Sequence, residues 1–238
     1  MDKAATHGSR GLISGDRMRP ELEDIFAKYE QIRAEADGLF HHVSGRYPDC
    51  AICHKGCSDC CHAVFDLSLV EALYLNDAFK RKFPHGPERS KIMEHASDID
   101  RKLTKIKREL YHSEKRGDTP DAIMDKASSM RMPCPLLDEK NQCVLYDARP
   151  ITCRLYGIPL VIGEKSHVCG FSGFDAGKQY PAVQLGKIQE RLEALSREIA
   201  ERLGSRFELD EVYVPVSMAL LTRYDDAYLG IGEAKEES

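Results

Sequence analysis

Five of the nine cysteines in this 238-residue chain fall within twelve residues, at Cys50, Cys53, Cys57, Cys60 and Cys61. The other four, Cys134, Cys143, Cys153 and Cys169, are spaced eight to fifteen residues apart. Thiols at such density are oxidised to disulfides, buried as small hydrophobes or given to a metal. The odd count and the adjacent pair Cys60-Cys61 argue against disulfides. Around the first group stand His54, Lys55, Gly56, Ser58 and Asp59, which are turn residues and not core residues. A buried structural role therefore suits only Cys134 or Cys169, each taken alone. Short spacings of two or three residues let one turn present two thiolates to one metal. Adjacent cysteines face different ways, so Cys60 and Cys61 serve different ions or different edges of one site. Gly56 permits the tight turn before Cys57.

Composition removes several function classes. Lys plus Arg number 34 against 39 Asp plus Glu, a formal net charge of −5, and no basic run is present. No nucleic-acid grip is expected from that balance. Trp is absent, so stacking platforms are poorly served. The longest apolar stretches, such as Ile158 to Ile162, fall far short of the ~20 residues a membrane span needs. The segment Met1 to Gly8 lacks the apolar core of a signal peptide. A cytoplasmic protein is expected, in which thiols stay reduced unless a metal takes them.

Periodicity predicts a mainly α fold. Residues 1–19 are polar and aperiodic and are expected to be disordered. Beyond Pro20, the residues Leu22, Ile25, Phe26, Tyr29, Ile32, Ala36, Leu39 and Phe40 recur at helical steps. Ser68 and Glu71 form a capping box opening a helix to about Phe83, with Leu69, Ala72, Leu73 and Phe79 inward and Asn76 at the margin. Ile92, Ala96, Ile99, Leu103, Ile106 and Leu110 step 4-3-4-3-4 along a long helix whose other faces carry charges of mixed sign. A short helix is expected from Thr119 to about Met130. Between 133 and 175, Pro, Gly and Cys punctuate short β-prone pieces at Cys143 to Tyr146 and Leu155 to Ile162. A last long helix runs from about Ala182 to Leu203 and stops at Gly204. Val212 to Val214 reads as extended, Ser217 to Thr222 as a helical turn, and the acidic tail from about 231 as loose. The expectation is a single domain over 20–230, helical, around an irregular Cys-rich metal-binding centre with a few short strands.

Two strings carry a resemblance. Cys53-His54-Lys55-Gly56-Cys57-Ser58-Asp59-Cys60-Cys61, followed by an apolar segment and Glu71, resembles the opening motif of the YkgJ-type cysteine-cluster proteins, a family described as zinc- or iron-chelating. The run from Cys134 to Asp138, then Cys143 through Arg149-Pro150-Ile151-Thr152-Cys153-Arg154, resembles that family's second motif. The likeness covers roughly residues 50–170. Flagellin lysine methylases are a larger relative, and that kinship implies a bound iron–sulfur cluster. Carried over, the resemblance implies Cys53, Cys57, Cys60, Cys61, Cys134, Cys143, Cys153 and Cys169 as metal ligands, with Cys50 left over. Eight thiols suit two four-thiolate sites, or one cluster with spare thiols. Arg149 and Arg154 are candidates to offset the negative charge of a thiolate site, or else to form ordinary salt bridges. His54, His62 and His167 lie near enough in sequence to substitute as ligands. Asp59 and Asp66 have no evident partner and read as turn and cap residues.

Both zinc and iron–sulfur accept four cysteines. Irregular spacing across several loops suits a bulky cluster, so a 4Fe-4S centre, one or two per chain, is expected, with zinc as the alternative. Cys53-x3-Cys57-x2-Cys60 has the spacing of radical S-adenosylmethionine enzymes, but Asp59 stands where those place an aromatic and no βα repeat surrounds it. Two function classes follow. One is a redox protein or S-adenosylmethionine-using enzyme with an unidentified redox or protein partner. The other is a zinc- or iron-chelating module that is structural or delivers metal. No Ser-His-Asp set, Walker loop, H-E-x-x-H or G-x-G-x-x-G proposes other catalysis.

Overall fold

Helix α2 (Leu69–Lys82) is apolar on two sides, and the fold is built against both. The computed structural model describes residues 19–232, apart from 55, 120, 121, 124, 125, 127–129 and 176. The expected disorder of 1–19 and the loose tail lie almost wholly outside the described residues, as does most of the short helix expected from Thr119 to Met130. One face of α2, with Leu69, Val70, Leu73 and Tyr74, packs against α1 (Glu23–Arg46) and α5 (Leu185–Leu203). The opposite face, with Ala72, Leu75 and Phe79, packs against α3 (Pro87–Lys115) and α6 (Val216–Leu221). The mainly α expectation holds.

Buried polar groups on α2 tie these layers. The capping box forms: Ser68 N–H and Oγ both donate to Glu71 Oε2, at 3.3 and 3.1 Å. Ser196 of α5 accepts from Val70 N–H at 3.2 Å and donates to Leu192 C=O, so another free donor of the first turn is satisfied. Asn76 is not marginal but 4 % exposed. Its amide donates to the carbonyls of Ala219 and Thr222 at the end of α6, at 2.8 and 3.3 Å, where a helix has no acceptor-satisfying donors of its own.

The helical stripes follow the sequence with two trims. Along α1, burial runs from Ile25 to Ala36 and resumes at Val43, whereas Leu39 is 40 % exposed. On α3, Ile92, Ala96, Ile99 and Leu103 are buried, but Ile106 and Leu110 only partly, because the helix outruns its partners. Helix α5 begins at Leu185 rather than Ala182, since Val183 and Gln184 are drawn into a strand.

The strands are short staples. Strand β1 (Asp66–Ser68) pairs antiparallel with β5 (Tyr213–Pro215), closing the chain before α2 onto the chain before α6. Strands β2 (Leu160–Ile162) and β3 (Lys165–His167) form a hairpin, and β4 (Val183–Gln184) joins β2 in parallel. Cys143 to Tyr146 is not a strand: Cys143 makes one isolated bridge to Leu137, and Tyr146–Ala148 is a 3-10 turn. Leu155 likewise ends a helical turn, α4 (Ile151–Leu155), which carries Cys153. Its first amide, Ile151 N–H, donates to Glu71 Oε1 at 3.0 Å, so α4 is anchored at the foot of α2. Among the described residues no helix is long and apolar enough to cross a membrane.

Candidate metal centre

Local turns present the first thiols. Gly56 has φ +91°, and Cys57 N–H donates to His54 C=O at 3.0 Å. Cys60 and Cys61 then sit in a 3-10 turn, Asp59–His62. Cys134 N–H donates to Cys61 C=O at 2.6 Å, and Met132 N–H to His62 C=O at 2.9 Å, clamping the second motif onto the first. A tight hairpin returns Cys143 beside Cys134: Asp138 Oδ1 accepts from Lys140 and Gln142 N–H, both at 2.8 Å, and Asn141 takes φ +57°. Cys169 lies in a loop joined to the first group by Gly173 N–H donating to Cys50 C=O at 2.9 Å.

Eight thiols meet across three adjoining cavities. Cys60, Cys61, Cys134, Cys143 and Cys153 line a cavity of about 50 Å³ whose other walls are largely apolar, among them Val64, Phe65, Leu136 and Leu145. Cys53, Cys57 and Cys169 line a groove of about 860 Å³ with Asp59, Arg131 and Tyr156. A third space of about 580 Å³ touches Cys53, Cys57, Cys60, Cys153 and Cys169, with Arg149 and Arg154 on its wall. Cys50 packs against the core shared by α1, α2 and α5 and lines none of the three.

The model of the CxxCxxCC family, described as a "putative zinc- or iron-chelating domain", matches residues 52–170. The chain belongs to this family. The matched span begins after Cys50 and ends just past Cys169, so it holds all eight converging thiols. No curated protein and no solved structure matches the chain. Family membership supports metal binding.

The donors fit such a role chemically. Thiolates are the soft ligands that zinc and iron–sulfur centres take. A 50 Å³ cavity exceeds the roughly 10–15 Å³ needed for a water, yet its walls offer water few partners besides sulfur. Among the described residues no three His, Cys, Asp or Glu side chains are grouped closely enough to hold a metal ion as they stand. Cys60, Cys61, Cys134, Cys143 and Cys153 would hold a metal in the small cavity, and Cys53, Cys57 and Cys169 in the groove.

The electrostatics set Cys60 apart. It accepts the Cys61 S–H hydrogen bond and has the Arg149 charge nearby, which brings its thiol down to about 7. Cys61, holding the shared proton, is raised. Burial pushes Cys134 up to about 12 and raises Cys143 and Cys153, with neighbouring thiols adding to the effect. Partial desolvation of its sulfur raises Cys53, although the residue is exposed, and Cys57 and Cys60 add to the effect. Burial also pushes Cys169 up to about 11, helped by its hydrogen bond to Asp59.

Asp59 corrects the sequence reading. It is 8 % exposed and forms an ion pair with Arg131. Its Oδ2 accepts from Tyr156 O–H at 2.9 Å and Cys169 S–H at 3.2 Å. Asp66 is also partnered, by Lys107 at 2.8 Å. The two arginines differ. Arg149 stacks on Tyr146, 3.6 Å from the ring centre, and borders both the small cavity and the third space. Arg154 is buried and donates to Asp37 and to the carbonyls of Arg149 and Asp147, bracing the turn before α4 against α1. His54 and His62 line the groove, while His167 lies on β3 and lines none of the three spaces.

Gly157 is a site residue that spacing alone does not reveal. Its φ is +102°, and a Cβ there would lie 2.4 Å from Cys53 Sγ. Gly157→Ala should displace the Cys53 thiol and strain the backbone by about 1–3 kcal/mol. Metal analysis of the purified variant should show less bound metal than wild type; an unchanged content would mean that Cys53 is not a ligand.

Proposed function

We propose that the protein binds an iron–sulfur cluster through cysteines of its two motifs and that the centre is redox-active or works with S-adenosylmethionine. The observation carrying this reading is the convergence of eight thiols, from segments as far apart as Cys53 and Cys169, on adjoining cavities. That number exceeds what one tetrahedral zinc needs. The groove beside Cys53, Cys57 and Cys169 leaves room for a ligand or redox partner, and exposure of this kind tunes cluster potentials widely. When bound, the cluster would supply electron transfer; the chain holds it, with Arg149 offsetting thiolate charge and Arg131 and Asp59 fixing the loop that bears Cys169.

Protein purified without oxygen should be brown and carry iron with acid-labile sulfide, and its reduced EPR signal should change on adding S-adenosylmethionine or an electron partner. Stoichiometric zinc without sulfide, even after iron supplementation, would overturn this reading. It would favour instead a zinc- or iron-chelating module without catalysis, for which the ion-sized 50 Å³ cavity is the supporting feature.

A further inference from the structure

The eight thiols differ in what surrounds them. Cys134, Cys143 and Cys153 face the small cavity, whose walls are mainly apolar, with Val64, Phe65, Leu136 and Leu145, and carry Arg149 and Ser217 as their polar members. With Cys60 and Cys61 nearby, this set supplies four or more sulfurs, enough to fill a tetrahedral shell from the protein alone. Cys53, by contrast, is exposed and opens onto a wide groove that Cys57, half-buried, and Cys169, buried, also line. Only three thiols line that groove. Three protein donors leave a coordination position free, the arrangement of metal sites that exchange or react.

A second observation singles out the outer set. Asp59 is almost fully buried, yet its carboxylate is turned onto Cys169 Sγ at 3.2 Å and held there by Arg131 and Tyr156. That brace fixes a loop thiol at the groove wall. The rim carries Ile52, Val168 and Phe171, which are 50 %, 47 % and 68 % exposed. An apolar rim around an open metal position suits approach by another molecule.

We propose that the chain has two unlike metal sites: an enclosed inner one on Cys134, Cys143, Cys153 and the Cys60-Cys61 pair, and an open outer one on Cys53, Cys57 and Cys169 from which a soft cation exchanges with external ligands. The proposal rests on the metal-binding reading, but not on the choice between iron–sulfur and zinc. Ligand exchange needs an entering donor to reach the metal before a protein sulfur leaves. The groove permits that approach at the outer site, and the apolar walls oppose it at the inner one.

The test uses the full chain, reduced, stripped of metal under argon and reloaded with cobalt(II). Two equivalents should bind, and excess EDTA should remove them in two phases at least tenfold apart in rate. Cys169→Ala should abolish the fast phase alone, and Cys143→Ala the slow phase alone. A single equivalent, a single phase, or loss of the same phase in both variants would overturn the proposal. Because Cys143→Ala risks misfolding, wild-type protein holding one equivalent is also treated with iodoacetamide and mapped by mass. Protection of Cys134, Cys143 and Cys153 with alkylation at Cys53, Cys57 and Cys169 is expected; the reverse or uniform pattern would overturn it. Iron and sulfide analysis of the untreated protein separates the two readings, since zinc alone would sink the iron–sulfur assignment and leave two-phase release untouched.

Discussion

Cys60→Ala is expected to lower metal affinity at the enclosed thiol set by more than tenfold, and to weaken the outer set less, through the loss of a neighbouring thiolate charge. Changes to residues that merely orient a ligand already cost about 10–100-fold, so loss of a donor should cost at least as much. The reason is position. Cys60 lies against Cys61, Cys134, Cys143 and Cys153 at the small cavity, and it also shares the third space with Cys53 and Cys57. It interacts electrostatically with Cys53 on one side and with Cys134, Cys143 and Cys153 on the other. The Cys61 hydrogen bond and Arg149 also lower its thiol, which favours the thiolate form that binds a cation. Cobalt(II) titration followed by thiolate charge-transfer absorbance would measure the effect. Cys50→Ala is the control, because that residue packs in the core away from the cavities. If Cys60→Ala binds as wild type does, Cys60 is not a donor and the two sets are not joined through it.

What the sequence disclosed was what depends on near neighbours. The capping box at Ser68 and Glu71, the seam from Ile92 to Leu103 and the stop at Gly204 each rest on residues within a turn or two, and each is present. The cysteine strings were legible as a family motif for the same reason, since their spacing is local. Asp59 was misread because its partners Arg131 and Tyr156 are 72 and 97 residues away. Gly157 was invisible because its need for glycine comes from Cys53, brought there only by the fold. Leu155 was read as the start of an extended piece because the single helical turn it closes, α4, carries no period, and Pro150, Arg154 and Glu71 decide its shape instead. The division of the thiols between a small cavity and an open groove depends on the Cys134–Cys143 hairpin and the loop bearing Cys169. Neither placement has a signature in spacing.

Glu71→Ala should cost the fold about 2–4 kcal/mol, through the loss of several buried hydrogen bonds at once. Glu71 is 6 % exposed and accepts from Ser68 N–H, Ser68 O–H and Ile151 N–H. Alanine would leave those donors unpaired, two of them backbone groups at the starts of α2 and α4. The second is the more consequential, because α4 carries Cys153: urea unfolding should show the stability loss, and metal analysis should show a lower content although no ligand has been touched. Wild-type stability with wild-type metal would mean that water replaces the carboxylate at no cost. Glu71→Gln keeps an acceptor and separates hydrogen bonding from charge. Burial raises the carboxyl above its ordinary 4.5, so above that value the folded chain retains a proton that the unfolded chain has released. With more protons bound when folded, stability falls as pH rises from 4.5 through the folded value, and is greatest below it. Glu71→Gln cannot titrate and should flatten that slope. A variant with the wild-type pH profile would place the titration elsewhere and reduce Glu71 to its hydrogen bonds.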